Sequence, residues 1–162
     1  MPSEWKYPHI AHKNLWHCTT LFKGGKTKFR EIANTEEYKQ FIQGEKVMIK
    51  LLGIVYVPES TIVMIIKVDK SIKIKNVYPH VTGFTKDFAP KYSNNVMENI
   101  MKNKEIKSVY DKLIKTDSDV KLNEKECLFS DVIDIDGYDY DAYINYLENP
   151  VELESTMHAF EK

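Results

Sequence analysis

Apolar positions fall into short runs whose spacing divides the chain into compact elements. Residues 46–57 (KVMIKLLGIVYV) and 60–69 (STIVMIIKVD) are aliphatic and β-branched, and Pro58-Glu59 separates them, which predicts a β-hairpin in the core. Ahead of them, LWHCTTLF (15–22) is rich in aromatic and β-prone residues and stops at Gly24-Gly25, the pattern of a strand. TEEYKQFIQGE (35–45) offers Thr35 as N-cap, two acids in its first turn and Gly44 as terminator, and so predicts a short helix. IKNVYPHVTGF (74–84) predicts a further strand. In SNNVMENIMKN (93–103), Ser93 is a candidate cap and Val96, Ile100 and Met101 share one helical face. KSVYDKLIKT (107–116) predicts a helix, ECLFSDVIDI (126–135) a strand, and YDAYINYLENP (140–150) a helix stopped by Pro150.

The order of these elements predicts an α+β fold in one domain over residues 1–162, without linker or low-complexity segment. Two similar α+β halves emerge, each with a strand followed by a helix, and a cleft is expected between them.

Composition narrows the class. The chain has 162 residues, 43% hydrophobic and 29% charged, as expected of a soluble globular protein. Its longest aliphatic run, IVMII at 62–66, is far short of the roughly 20 residues a membrane span needs. The opening MPSEWKYPHIAHK lacks the apolar centre of a secretory signal. Cys18 and Cys127 form no framework, so a reducing, cytoplasmic setting is expected. Residues 1–115 carry 20 Lys or Arg against 11 acids, a balance of +9, whereas 116–162 carry 3 against 13, a balance of −10. The basic part favours a phosphate-bearing ligand, and the acidic part can also fold back to neutralise it. Arg30 is the one arginine beside 22 lysines, a bias that points to an AT-rich genome such as that of a virus, phage or protist.

The candidate chemistry lies in a repeated H-x-T. His17 and Thr19 stand in the first strand, and His80 and Thr82 recur 63 residues later. Strand side chains alternate, so each histidine shares a face with its threonine while Cys18 and Val81 point the other way. About 0.3 such motifs are expected by chance in this composition. Two imidazoles and two hydroxyls around a narrow cleft suit phosphodiester hydrolysis: one imidazole deprotonates water, the other protonates the leaving oxygen, and the hydroxyls bond the non-bridging oxygens. That mechanism calls for no metal and no cofactor.

These motifs resemble those of the 2H phosphoesterase superfamily (LigT-like). HCTTLF here is similar to the HCTTKF of its 2′,3′-cyclic-nucleotide 3′-phosphodiesterase branch, and PHVTGFTKDFAPKYSNNVMENI resembles that branch's second motif and following helix. The resemblance covers about 10 and 20 residues in the two places. It implies two pseudo-symmetric lobes whose antiparallel sheets form a central cleft, with His17, Thr19, His80 and Thr82 as catalytic residues. By analogy His80 is the base and His17 the acid, although pseudo-symmetry lets the roles exchange with the linkage cut. Phe22 matches the family's base-stacking phenylalanine. The usual continuation H-x-T-L-G is here His80-Val81-Thr82-Gly83-Phe84, which predicts a loop one residue shorter. The implied substrate is a nucleotide or oligonucleotide with a phosphodiester at a ribose 2′-oxygen: a 2′,3′-cyclic phosphate or, in a viral or phage protein, a 2′-linked second messenger (2′–5′ oligoadenylate or mixed-linkage cyclic dinucleotide) degraded in the host cytosol.

Other signals weigh less. Trp16, Tyr78 and Phe84 flank the motifs and are candidate substrate contacts, although aromatic residues beside strands are usually core. His9, His12 and His17 have zinc-like spacing but no nearby acid or thiol partner, so no metal site is assigned. DVIDIDGYDYDAY fails as a calcium loop, because Val132 and Tyr143 occupy its first and twelfth positions; it reads as a turn and helix start. An RNA-binding module would share the small α+β plan, but GFTKDFAP is a poor match to its aromatic-glycine signature.

Overall fold

A computed structural model of the chain describes residues 45–69, 72, 77–86, 88, 92–116 and 120–156. The two aliphatic runs form the hairpin that their pattern predicts: β1 (Lys46–Val57) and β2 (Thr61–Val68) pair antiparallel, with Val57 opposite Thr61. Ser60 N closes the turn on Val57 O at 3.0 Å, with Pro58 second and Glu59 third at φ 62°. Proline presets φ at the second position of such a turn, and a left-handed residue belongs at the third. β3 (His80–Thr85) joins β2, while β4 (Leu128–Ile135) and β5 (Tyr138–Thr156) form a second hairpin that attaches through β5 to β1. The sheet order is β3-β2-β1-β5-β4, with every pair antiparallel. Between β3 and β4 the chain passes through α1 (Ser93–Ile100) and α2 (Lys104–Lys115). The architecture is an α+β fold, as expected.

One face of the sheet meets the helices. Val55 and Val57 of β1, Val63 and Ile65 of β2, and Ile144 and Tyr146 of β5 pack in one cluster with Val96, Met97 and Ile100 of α1 and Ile106, Val109 and Leu113 of α2. Removing this apolar surface from water is the dominant stabilising contribution. Gly53 sits where β1 and β5 approach most closely: a Cβ there would lie 2.8 Å from Asn145 O and 3.0 Å from Tyr146 Cα. Tyr146 Oη donates to Ile106 O at 3.0 Å, so the sheet also bonds the first turn of α2. At the other end of α2, Lys67 Nζ donates to Leu113 O and Thr116 O at 3.2 and 2.7 Å, satisfying carbonyls that the helix leaves open.

Three expectations are corrected. Residues 140–150 are part of β5, not a helix: Ala142, Ile144 and Tyr146 are buried while Asp141, Tyr143 and Asn145 are exposed. A period of two buries one side of a strand, and no helix can match it. The strand is launched by Asp136 and Gly137, whose φ values of 54° and 85° make a two-residue hairpin turn, with Asp134 Oδ1 accepting from Gly137 N. Pro150 ends nothing, because residues 147–150 bulge out of the ladder. The register steps from Gly53↔Tyr146 to Leu51↔Val151, so its missing N–H costs no strand pairing.

Second, Ser93 is not the cap of α1; that position is Tyr92, which makes no side-chain cap bond. The run expected as one element over 93–103 ends at Ile100, and Asn103 caps α2 by accepting from Glu105 N and Ile106 N. Third, the strand expected over 74–84 begins at His80, immediately after Pro79. The strand expected over 15–22, the helix over 35–45 and the facing of two motif strands across a cleft lie outside the described residues. Among the described residues no helix is long and apolar enough to cross a membrane.

The opposed charges of the two parts of the sequence do meet in places. Lys46 pairs with Glu154 at 3.2 Å and Lys112 with Glu126 at 2.9 Å, both exposed contacts of small energetic weight.

Candidate active site

β3 carries the second H-x-T, and its register decides where the side chains go. His80 stands opposite Ile65, Val81 opposite Met64 and Thr82 opposite Val63. Directly opposed residues share a face, and Val63 and Ile65 belong to the core beneath the helices. His80 and Thr82 therefore point together to the helix-bearing face, and Val81 points to the other, where it is buried. Beyond Thr82 the pairing shifts to Phe84↔Ile62, which leaves Gly83 as the extra residue of a bulge. Phe84, a candidate substrate contact in the sequence, consequently faces away from His80 and Thr82.

His80 is 9% exposed, and its Nδ1 lies 2.8 Å from Tyr78 O. A carbonyl only accepts, so Nδ1 carries the proton in this bond, and a neutral ring then presents Nε2 as a lone pair. Burial pushes the imidazole pKa below its usual 6.5, and the smaller effect of the Tyr78 bond raises it. The ring is thus held neutral near pH 7 in the tautomer that a general base requires.

Thr82 Oγ1 lies 2.6 Å from Ser93 Oγ, and Ser93 is 2% exposed at the start of α1. One hydroxyl donates to the other, which restricts the Thr82 rotor. The Tyr78 ring meets Tyr110 of α2 edge-on at 5.5 Å. Lys107 Nζ stands 6.0 Å from the centroids of both rings. Asp111 bonds that ammonium at 2.6 Å and raises its pKa, which keeps Lys107 charged beside the ring of Tyr78, the residue whose carbonyl orients His80.

The structure thus gathers His80, Thr82 and Tyr78 and separates Phe84 from them. Catalytic candidates His17 and Thr19, substrate candidates Trp16 and Phe22, and His9 and His12 lie outside the described residues. Ser93, Lys107 and Tyr110 escaped the sequence reading. A serine opening a helix reads first as a cap, and residues 25 or more positions from the motif come near it only through packing. Among the described residues no group of three or more His, Cys, Asp or Glu side chains is arranged to hold a metal ion.

By sequence, no family model and no curated protein matches this chain. Among solved structures it is similar to one described as the crystal structure of a fungal RNA kinase, with a TM-score of 0.47 and 15% identity, over 82% of this chain and 31% of that one.

Proposed function

We propose that the protein is a 2H-type phosphodiesterase that hydrolyses phosphodiesters at a ribose 2′-oxygen, 2′,3′-cyclic phosphates first among them, without a metal. The observation that carries the reading is the state of His80: a buried, neutral imidazole whose Nδ1–H is committed to Tyr78 O, beside a threonine hydroxyl on the same face. In this mechanism His80 Nε2 takes a proton from water as the water oxygen bonds to phosphorus. The bond from phosphorus to the ribose oxygen breaks, and that oxygen receives a proton from the second imidazole, assigned to His17. Thr82 and Thr19 donate to the non-bridging oxygens as their charge grows.

The test is turnover of a 2′,3′-cyclic mononucleotide in EDTA by the wild type and by His80→Gln, with 2′- and 3′-phosphate products resolved. The wild type is expected to turn over, and the variant to lose roughly 10²–10⁴-fold in rate. Undiminished turnover in His80→Gln, or none in the wild type, would sink the reading. Equal or faster cleavage of an all-3′–5′ dinucleotide than of its 2′–5′ isomer removes the claim for the 2′-oxygen.

A further inference from the structure

α2 is basic on the side that faces away from the core. Its buried side is Ile106, Val109, Tyr110 and Leu113. At 100° per residue, the opposite side carries Lys104 and Lys115 at its centre, with Lys107 and Lys112 at its flanks. With Lys102 from the preceding turn they line a groove of about 530 Å³, in which Asp111 is the one acid among the described residues. Lys107 and Lys112 are engaged by Asp111 and Glu126. Lys104 and Lys115 pair with no acid among the described residues. From Lys104 to Lys115 the stripe runs about 16 Å along the axis. A positively charged groove of this kind tracks the backbone of a single strand over several nucleotides.

A solvated helix face is the ordinary fate of such a stripe, but two observations point to a ligand. The stripe leads to the candidate site: Lys107 stands over the ring of Tyr78, whose carbonyl holds the His80 imidazole. The charge is also polarised over the molecule, with Asp134, Asp136, Asp139 and Asp141 exposed on the β4–β5 hairpin. An anionic polymer is therefore drawn to the lysines of α2 and repelled by the carboxylates at the tip of that hairpin. A lipid surface fits less well, because the apolar side of α2 is buried and leaves nothing to insert.

From this arrangement we infer that the lysine face of α2 is a docking track for the phosphate backbone of single-stranded RNA, running toward His80 past Tyr78. The track is a binding site separate from the H-x-T residues. The choice of RNA and its orientation toward His80 rest on the proposed phosphodiesterase reading, whereas the binding of a phosphate backbone by the track does not.

The experiment measures binding of fluorescently labelled oligouridylate of several lengths to the full chain at 50–200 mM salt, by anisotropy. It compares wild type, Lys104→Gln/Lys115→Gln and a charge-matched Lys46→Gln/Lys121→Gln control. The α2 variant is expected to weaken binding and to lower the slope of log K against log salt by about 1.4, roughly 0.7 for each phosphate contact removed from a single strand. Its turnover of a 2′,3′-cyclic mononucleotide is expected to be unchanged, since neither lysine touches the H-x-T residues. Equal losses in both variants, or none in the α2 variant, overturn the track. So does binding to anionic phosphatidylserine vesicles that depends on the two lysines when RNA binding does not. Lysine-dependent RNA binding by a protein that turns over no mononucleotide upholds the track and fails the phosphodiesterase reading, so the two claims stand or fall separately.

Discussion

At His80, burial and a hydrogen bond act in opposite directions on the same proton, and burial is the larger. A histidine pKa lowered in the folded state means that folding disfavours the charged ring. Stability from this residue is therefore complete above the unfolded value near pH 6.5 and is lost as pH falls through the folded pKa below it. In His80→Gln the fall in Tm between pH 8 and 5 is expected to flatten relative to wild type; parallel curves for the two proteins would show that the ring is not protected. In the proposed reaction, with His80 as base, the same lowering is expected to place the rising limb of kcat/KM below pH 6.5, a position that a pH–rate profile measures directly. Ser93 acts one step removed, through the Thr82 hydroxyl it bonds at 2.6 Å. In the proposed reaction Ser93→Ala is expected to lower kcat by about fivefold, roughly the 1 kcal/mol of one hydrogen bond. That effect should vanish in a Thr82→Ala background, because no hydroxyl is left to orient; a full additional loss in the double variant assigns Ser93 to structure alone.

Among the elements, α2 begins at Lys104, three residues ahead of the run expected from 107. Its apolar residues recur at helical spacing, but no glycine or proline between Ile100 and Lys104 marks a break from α1. Asn103 makes that break by accepting two amide bonds with its side chain. Asn103→Ala is expected to cost about 1 kcal/mol, or roughly 2–4 °C in Tm for a domain of this size, as read by thermal denaturation; an unchanged Tm shows that water replaces the cap without loss. β5 teaches a different lesson. Tyr, Asn, Leu and Glu before a proline read as a helix reaching its stop, yet every second residue from Ala142 to Tyr146 is buried. Asp136-Gly137 carried the correct signal, since the two-residue left-handed turn commits the chain to double back as a strand. The bulge over 147–150 then hides the usual meaning of Pro150.

Over the molecule as a whole, the sheet order sets which backbone bonds are most sheltered. β1 lies at the centre with β2 and β5 on either side, and β4 forms an outer strand beyond β5. Amides of Val55, Val63 and Ile144, buried in the central ladders, are expected to exchange with solvent last and those of β4 sooner; the reverse order, measured by hydrogen exchange, contradicts this topology. Much of the local plan was legible in the chain: the β1–β2 hairpin from Pro58-Glu59 between aliphatic runs, the helical face of α1, the helical run of α2, and the shared face of His80 and Thr82. All of these follow from strand and helix periods, which are local geometry. Which face His80 and Thr82 take was not legible, because Ile62 to Ile66 are apolar on both sides of β2 and allow the helices to lie on either. Only packing chose the side of Val63 and Ile65, brought Ser93 onto Thr82 and set Lys107 over Tyr78. The H-x-T spacing by itself determined that His80 and Thr82 share a strand face; the tertiary structure decided their burial, tautomer and neighbours, because those depend on chain segments far away in sequence.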